Sequence, residues 1–378
     1  MISPRPDLLV LDASHFHEVC KAINAMHNTD PKKNAFKQGL LQLSNNLLAE
    51  DIYSMPATFI NERLSLIGTF LGWALALDNR NGYTLSKEMR SLLDNLCAKW
   101  IPDPDKYVFA VTDGDYSVME RYDPNIELTL ENVKNLFGIV FPHQLVIFCS
   151  PKHLAGDFLY SCVLYHEMGH FVDAYYNISN QLFNDVIDKI KKKTLDVGYL
   201  KQFFPFPLLL LTKDPKNFAF CLKKQIGEYV ADLFGAQYVG LNICNLLESV
   251  YRSNYDLHDI AHPSPNLREK MVSDFVNGVT TNTLLNEILA EFNNKTQNLR
   301  IRFNTPIEAE KLKSGEPLTL NNDDELHSII HLGWEVYFSK ASTMESLMGV
   351  PSNSIDNYSF YKKINEGIRT SIENYFPH

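Results

Sequence analysis

Two histidines four positions apart, with a glutamate beside the first, stand in Tyr165-His166-Glu167-Met168-Gly169-His170 and are the residues of this chain best suited to chemistry. Phe158, Leu159, Cys162, Val163 and Leu164 before them, and Phe171 and Val172 after, predict a buried helix. On a helix His166 and His170 share one face, so their imidazoles can hold one metal ion from the same side. Glu167 lies about 100° further round the axis. It stands beside such a metal rather than on it, where a general base for metal-activated water belongs. Two histidines and a glutamate on an apolar helix need partners, because a buried polar group without one is costly.

A catalytic Zn²⁺ site takes three protein ligands and keeps one position open. The third ligand is expected from another element facing the helix. The best candidate is Glu228, in Ile226-Gly227-Glu228-Tyr229-Val230-Ala231-Asp232-Leu233-Phe234-Gly235. If this stretch is helical, Glu228, Asp232 and Gly235 share a face. Glu228 would reach the metal. Asp232, one turn on, could accept the free N–H of a metal-bound imidazole and fix its tautomer. Gly235 would let the two helices pack closely. Tyr165, Tyr229 and Tyr238 are possible oxyanion donors, and nothing in the sequence picks one of them.

H-E-M-G-H followed by E-x-x-A-D-x-x-G resembles the gluzincin metallopeptidases, most closely the family of the CAAX prenyl protease and the HtpX-type peptidases. His262-Pro263-Ser264-Pro265-Asn266-Leu267-Arg268 resembles that family's downstream H-P-x-x-x-x-R element. The resemblance spans about 145–275. It implies a zincin-like catalytic core. It makes His262 a substrate or transition-state contact, or a switchable extra ligand, and it places Arg268 among the acids of the second helix. The H-E-x-G-H and E-x-x-A-D residues are also similar to those of small soluble gluzincins of the ImmA/IrrE type. Unlike the membrane members of the first family, this chain shows no apolar run long enough to span a bilayer.

The elements that must carry these residues are predominantly helical, with a small β-sheet: an α+β fold in three regions. Region 1–105 reads as a helical bundle, with apolar residues at helical spacing in 31–48 and 64–77. Pro102-Asp103-Pro104-Asp105 marks a boundary. Region 106–275 holds the zincin-like core. Within it 107–112 and 117–122 read as strands of a hairpin turning at Asp113-Gly114-Asp115. Residues 145–149 form a further strand, whose edge could pair with a substrate chain. The metal helix is expected over about 157–176. The run 203–211 is core, or the wall or lid of a cleft. Region 276–378 returns to helical patterning. His327 and His331 have ligand spacing without an acid pattern around them and read as structural or exposed; His143, His153 and His258 have no such pattern either, though His258 could take the role of His262.

The chain has 378 residues, 45% hydrophobic and 21% charged, and a net charge of −10, which argues against nucleic acid as a partner. Six scattered cysteines without a C-x-x-C pair read as buried free thiols in a reducing compartment. No signal peptide is evident, and the cytoplasm is the expected location. The expected activity is zinc-dependent hydrolysis of a protein or peptide substrate, with Glu167 as base. The alternatives are a regulatory or binding protein on a gluzincin scaffold, and a zinc hydrolase of a non-peptide amide. An intact Glu167 argues against a purely binding role.

Overall fold

The computed structural model describes residues 5–26, 30–77, 86–112, 126–149, 156–244, 261–302, 304–339 and 356–376. In chain order the main elements are α1 (Pro6–Asn24), α2 (Pro31–Ala49), α3 (Ala57–Ala76), α4 (Lys87–Trp100), β1 (Tyr107–Thr112), α5 (Ile126–Phe137), β2 (Gln144–Cys149), α6 (Cys162–Tyr176), α7 (Ile178–Lys191), α8 (Val197–Phe203), α9 (Pro205–Leu210), α10 (Pro215–Val239), α11 (Pro265–Val276), α12 (Thr283–Lys295), α13 (Glu310–Lys313), α14 (Asp323–Phe338) and α15 (Asn357–Tyr375). The fold is predominantly helical with a small sheet. Among the described residues no helix is long and apolar enough to cross a membrane.

The chain forms two compact units, one of Met1–Leu85 with Asp103–Ala155, the other of Ser86–Pro102 with Gly156–His378. This division does not follow the sequence boundaries at 105 and 275. α4 belongs with the second unit because Trp100 packs edge-on against Phe234, ring centroids 5.0 Å apart, and donates its indole N–H to the Tyr238 hydroxyl at 2.7 Å. The 276–378 region is not a separate body, since its helices share a core with α4, α6 and α10.

In the first unit α1 packs on α2 and α3 around Phe16, Phe36, Leu40, Phe70 and Trp73. Asp30 starts α2 by accepting from the amides of Lys32 and Lys33, and Pro31 takes the first helical position, where its missing N–H is not needed. The strands β1 and β2 run parallel, with Tyr107 opposite Gln144 and Thr112 opposite Cys149. Both are continuous apolar runs, as parallel strands buried on two faces require. A parallel pair needs a long crossover, and α5 lies in it, ended by Gly138 at φ +68°. The second strand of the expected hairpin, 117–122, and its turn at 113–115 lie outside the described residues.

In the second unit α6 and α10 cross in close contact. Gly169 makes this possible: a Cβ there would sit 2.8 Å from the Ala231 Cα and 2.9 Å from its carbonyl oxygen. All residues of 162–173 except His170 are buried, so α6 is enclosed on every face but one. It begins at Cys162 rather than 157, after a run of turns, and ends at Asn177, which takes the left-handed conformation at φ 56°. The 203–211 run divides: Phe203 and Phe204 are buried, while Leu209 on α9 is exposed.

His327 on α14 is wholly buried. Its Nδ1 accepts from the Tyr165 hydroxyl at 2.9 Å and its Nε2 meets the Asn95 amide oxygen at 2.9 Å. It is structural, as its sequence setting suggests. Burial, helped by the nearby Lys99 charge, lowers its pKa to about 3. The unfolded chain therefore takes up this proton near pH 6.5, and the folded chain does not until about 3. Stability is unaffected above pH 6.5 and falls as pH drops below it, by roughly 2–3 kcal/mol at pH 4.5. Urea unfolding of His327→Gln between pH 7 and 4.5 is expected to show a shallower decline than the wild-type chain. Equal slopes would rule out this origin.

Candidate metal centre

His166 and His170 come from successive turns of α6, and Glu228 comes from α10 across the Gly169–Ala231 contact. One ligand atom from each lies within 4.8 Å of the other two. The His166 Nε2 is 3.5 Å from the Glu228 Oε2, and the His170 Nε2 is 3.4 Å from the Glu228 Oε1. Tetrahedral ligands about 2.1 Å from one ion are separated by about 3.4 Å, so these spacings fit a shared Zn²⁺. The imidazoles stand at 86° to one another, which turns both Nε2 atoms toward the carboxylate without stacking the rings. The donor set is two imidazoles and a carboxylate, the chemistry of a site that leaves zinc a fourth position.

Behind the ligands lies a second layer of charge. The His166 Nδ1 donates to the Asp232 Oδ1 at 2.9 Å, which turns Nε2 toward the metal position. Arg268, at the start of α11, donates from Nε and Nη2 to the two Asp232 oxygens, both at 2.7 Å. Its Nη2 is also 3.2 Å from the Glu228 Oε2. One guanidinium thus fixes the ligand carboxylate and the carboxylate that orients a ligand histidine. His262 lies at the rim. Its Nε2 is 3.7 Å from the Glu228 Oε1, and its carbonyl accepts from the Gln225 side chain at 3.2 Å. Pro263 and Pro265 flank the turn into α11 and restrict the backbone that presents it.

Burial would raise the Glu228 carboxyl, but the Arg268 charge and the two imidazoles overcome it and hold the group well below the usual carboxylate range. Asp232 follows the same pattern: burial pushes up, and the Arg268 charge and hydrogen bonds prevail. Burial opposes protonation of His166, yet Asp232 and Glu228 together raise it to about 10. An arriving cation must therefore displace a proton from His166. Glu228 and Asp232 are both buried, and Arg268 is a buried cation beside each of them.

The three expected ligands come together here, with Glu167 on the same helix, Asp232 and Arg268 behind them and His262 at the rim. The three tyrosine hydroxyls are engaged elsewhere. Tyr165 donates to His327, Tyr229 to the Phe203 carbonyl at 2.9 Å, and Tyr238 receives the Trp100 N–H. His153 and His258 lie outside the described residues. Sequence reasoning gave the close approach of the helices to Gly235. A Cβ at Gly235 would lie 3.5 Å from the His166 amide nitrogen, but the tighter contact is at Gly169, hidden in the variable part of the histidine motif. Gln225, one turn before Glu228, was also passed over; its link to His262 could have been sought from the shared face. Comparison of the chain with family models, curated proteins and solved structures returns no match.

Proposed function

We propose that this chain is a zinc-dependent endopeptidase of the gluzincin type, acting on a protein or peptide substrate. The observation that carries the reading is the convergence of the His166, His170 and Glu228 donors across two helices. Zinc, when bound, supplies Lewis acidity and makes water at its open position more acidic. Each residue then has a role. His166 and His170 would hold the ion through Nε2, and Glu228 through its carboxylate. Asp232 keeps the proton of His166 on Nδ1. Arg268 holds the two carboxylates in place. Glu167 takes the proton of the attacking water on its carboxylate and delivers it to the leaving amine. His262, at the rim, is placed to donate to the developing oxyanion. The resemblance to the CAAX prenyl protease and HtpX-type family supports the same assignment through the H-E-x-x-H, E-x-x-A-D and H-P-x-x-x-x-R residues. Cys20, Cys97, Cys162, Cys221 and Cys244 are buried and form no disulfide with one another, which supports a reducing location such as the cytoplasm.

Metal analysis tests the reading directly. Plasma-emission measurement of the purified chain is expected to find about one Zn²⁺ per molecule. His170→Ala should lose most of it, and His166→Ala/His170→Ala all of it. Stoichiometric zinc in the double variant would place the metal elsewhere and end this assignment.

A further inference from the structure

The metal-bearing helix lacks a cap of its own. Ser161, the residue before α6, is in the helical region and its side chain accepts nothing from the first turn. The amides ahead of it must still find acceptors, because Phe158 and Leu159 are fully buried. The acceptors come from the other end of the chain. The Asn365 Oδ1 accepts from the Phe158 amide at 2.7 Å and from the Leu159 amide at 3.2 Å. The Tyr160 amide donates to the Asp157 Oδ1 at 3.2 Å. Asp157 is in turn held by the Tyr361 hydroxyl, 2.6 Å from each of its oxygens. Tyr361 and Asn365 are four apart on α15, so one face of that helix supplies both anchors. Trp334 on α14 adds a third, donating its indole N–H to the Leu159 carbonyl at 2.9 Å.

We propose that Asn365, supported by Tyr361, is a positioning residue that sets the place of α6 and through it the His166–His170 pair. The inference rests on the reading of those histidines as metal ligands, but the anchoring it describes does not. Two consecutive buried amides share the Asn365 side-chain oxygen, and the Asp157 carboxylate, which Tyr361 holds, lies beside the second of them. Leu159 lies seven residues, about two helical turns, before His166. The turns between them are continuous backbone hydrogen bonds from Ser161 to Phe158, Val163 to Tyr160 and Leu164 to Ser161. A shift at the start of the helix is therefore carried along its axis. The middle of α6 is held at Gly169 against Ala231, so displacement from the start of the helix falls on the turns before that contact, where His166 and Glu167 stand. This gives the C-terminal helices a part in the site without a residue in it.

The test uses the full chain with Asn365→Ala, Asn365→Asp and Tyr361→Phe. Amide hydrogen exchange is followed by peptide mass spectrometry, and zinc affinity by competition with a chromophoric chelator. Asn365→Ala is expected to exchange faster by about tenfold or more in peptides covering 158–168, with those of α10 unchanged. Its zinc dissociation constant should rise by about tenfold, the lower end of what lost outer partners cost metal sites. Asn365→Asp keeps the accepting oxygen but sets a second carboxyl beside buried Asp157 and loses the donor to the Tyr361 carbonyl, so it should recover both only in part. Tyr361→Phe removes one hydroxyl, serves as the milder variant should Asn365→Ala fail to fold, and should show the same local pattern more weakly. Unchanged exchange at 158–168 would overturn the proposal. So would faster exchange spread evenly over the second unit, or a local change that leaves zinc affinity as it was. A wild-type chain that takes up no zinc would end the peptidase reading; the exchange comparison would still decide whether Asn365 holds α6.

Discussion

Glu167→Gln will lower peptide cleavage by about 10²–10⁴ while zinc content stays at the wild-type level. Glutamine has the size and shape of glutamate, so α6 and its contacts need not adjust. Its amide cannot accept the proton of the attacking water, the capacity on which turnover depends. The ligand set is untouched, because His166, His170 and Glu228 make up the donor group without Glu167. Glu228→Gln should show the opposite balance. It removes an anionic ligand, and it leaves Arg268, now 3.2 Å from a carboxylate oxygen at that position, beside a neutral amide. Zinc should be weakened there first, and activity lost as a consequence. Cleavage of a proteome-derived peptide library, read by mass spectrometry beside plasma emission on the same samples, distinguishes the two variants. Retained zinc in Glu228→Gln together with lost zinc in Glu167→Gln would reverse the assignments of base and ligand. Substantial cleavage by Glu167→Gln would remove it as the base.

The two helices that carry the candidate ligands were legible because their information is local. Four-residue spacing puts His166 over His170, and the same spacing puts Glu228 over Asp232, whatever surrounds them. The structure sets those two faces together, with His166 Nδ1 on Asp232 as the spacing suggested. His262 and Arg268 have no such periodic signal; they entered through the resemblance, and the coordinates bring both to Glu228. What stayed hidden depends on partners distant in the chain. Nothing in 87–100 shows that Trp100 belongs beside Tyr238, 138 positions later. The parallel pairing of β1 with β2 depends on which strand lies alongside, a choice that two apolar runs do not encode. Asn365 looks like an ordinary polar residue of an amphipathic helix, and its partners are 207 and 206 positions earlier. Gly169 occupies a position that the histidine motif leaves free, so its role emerges only when Ala231 is seen against it.

The largest expected loss of stability comes from Arg268→Leu. Arg268 is 4% exposed and stands between two buried acids, bound to both oxygens of Asp232 and close to Glu228. Leucine fills much of the space and removes the charge. Asp232 then keeps the His166 N–H as its remaining named partner, and both carboxylates lose the cation that holds them ionised. Removing one side of a buried ion pair costs about 3–5 kcal/mol, since the other side stays desolvated. For a unit of this size that lowers the melting temperature by on the order of 10 °C. Arg268→Lys restores the charge without the two-pronged geometry and should fall between. Zinc should recover part of the loss in Arg268→Leu, because a divalent ion at Glu228 supplies positive charge to the same cluster. The pH dependence has a defined sign in the zinc-free protein. In the wild type both carboxyls are held low, so their contribution is present at neutral pH and disappears as acid protonates them. In the leucine variant burial is no longer opposed by the guanidinium, and protonation relieves a penalty instead. The gap between the two melting curves should therefore narrow as pH falls from 7 toward 4. A melting temperature within a degree or two of wild type, or a gap that widens in acid, would show that Arg268 does not neutralise these acids.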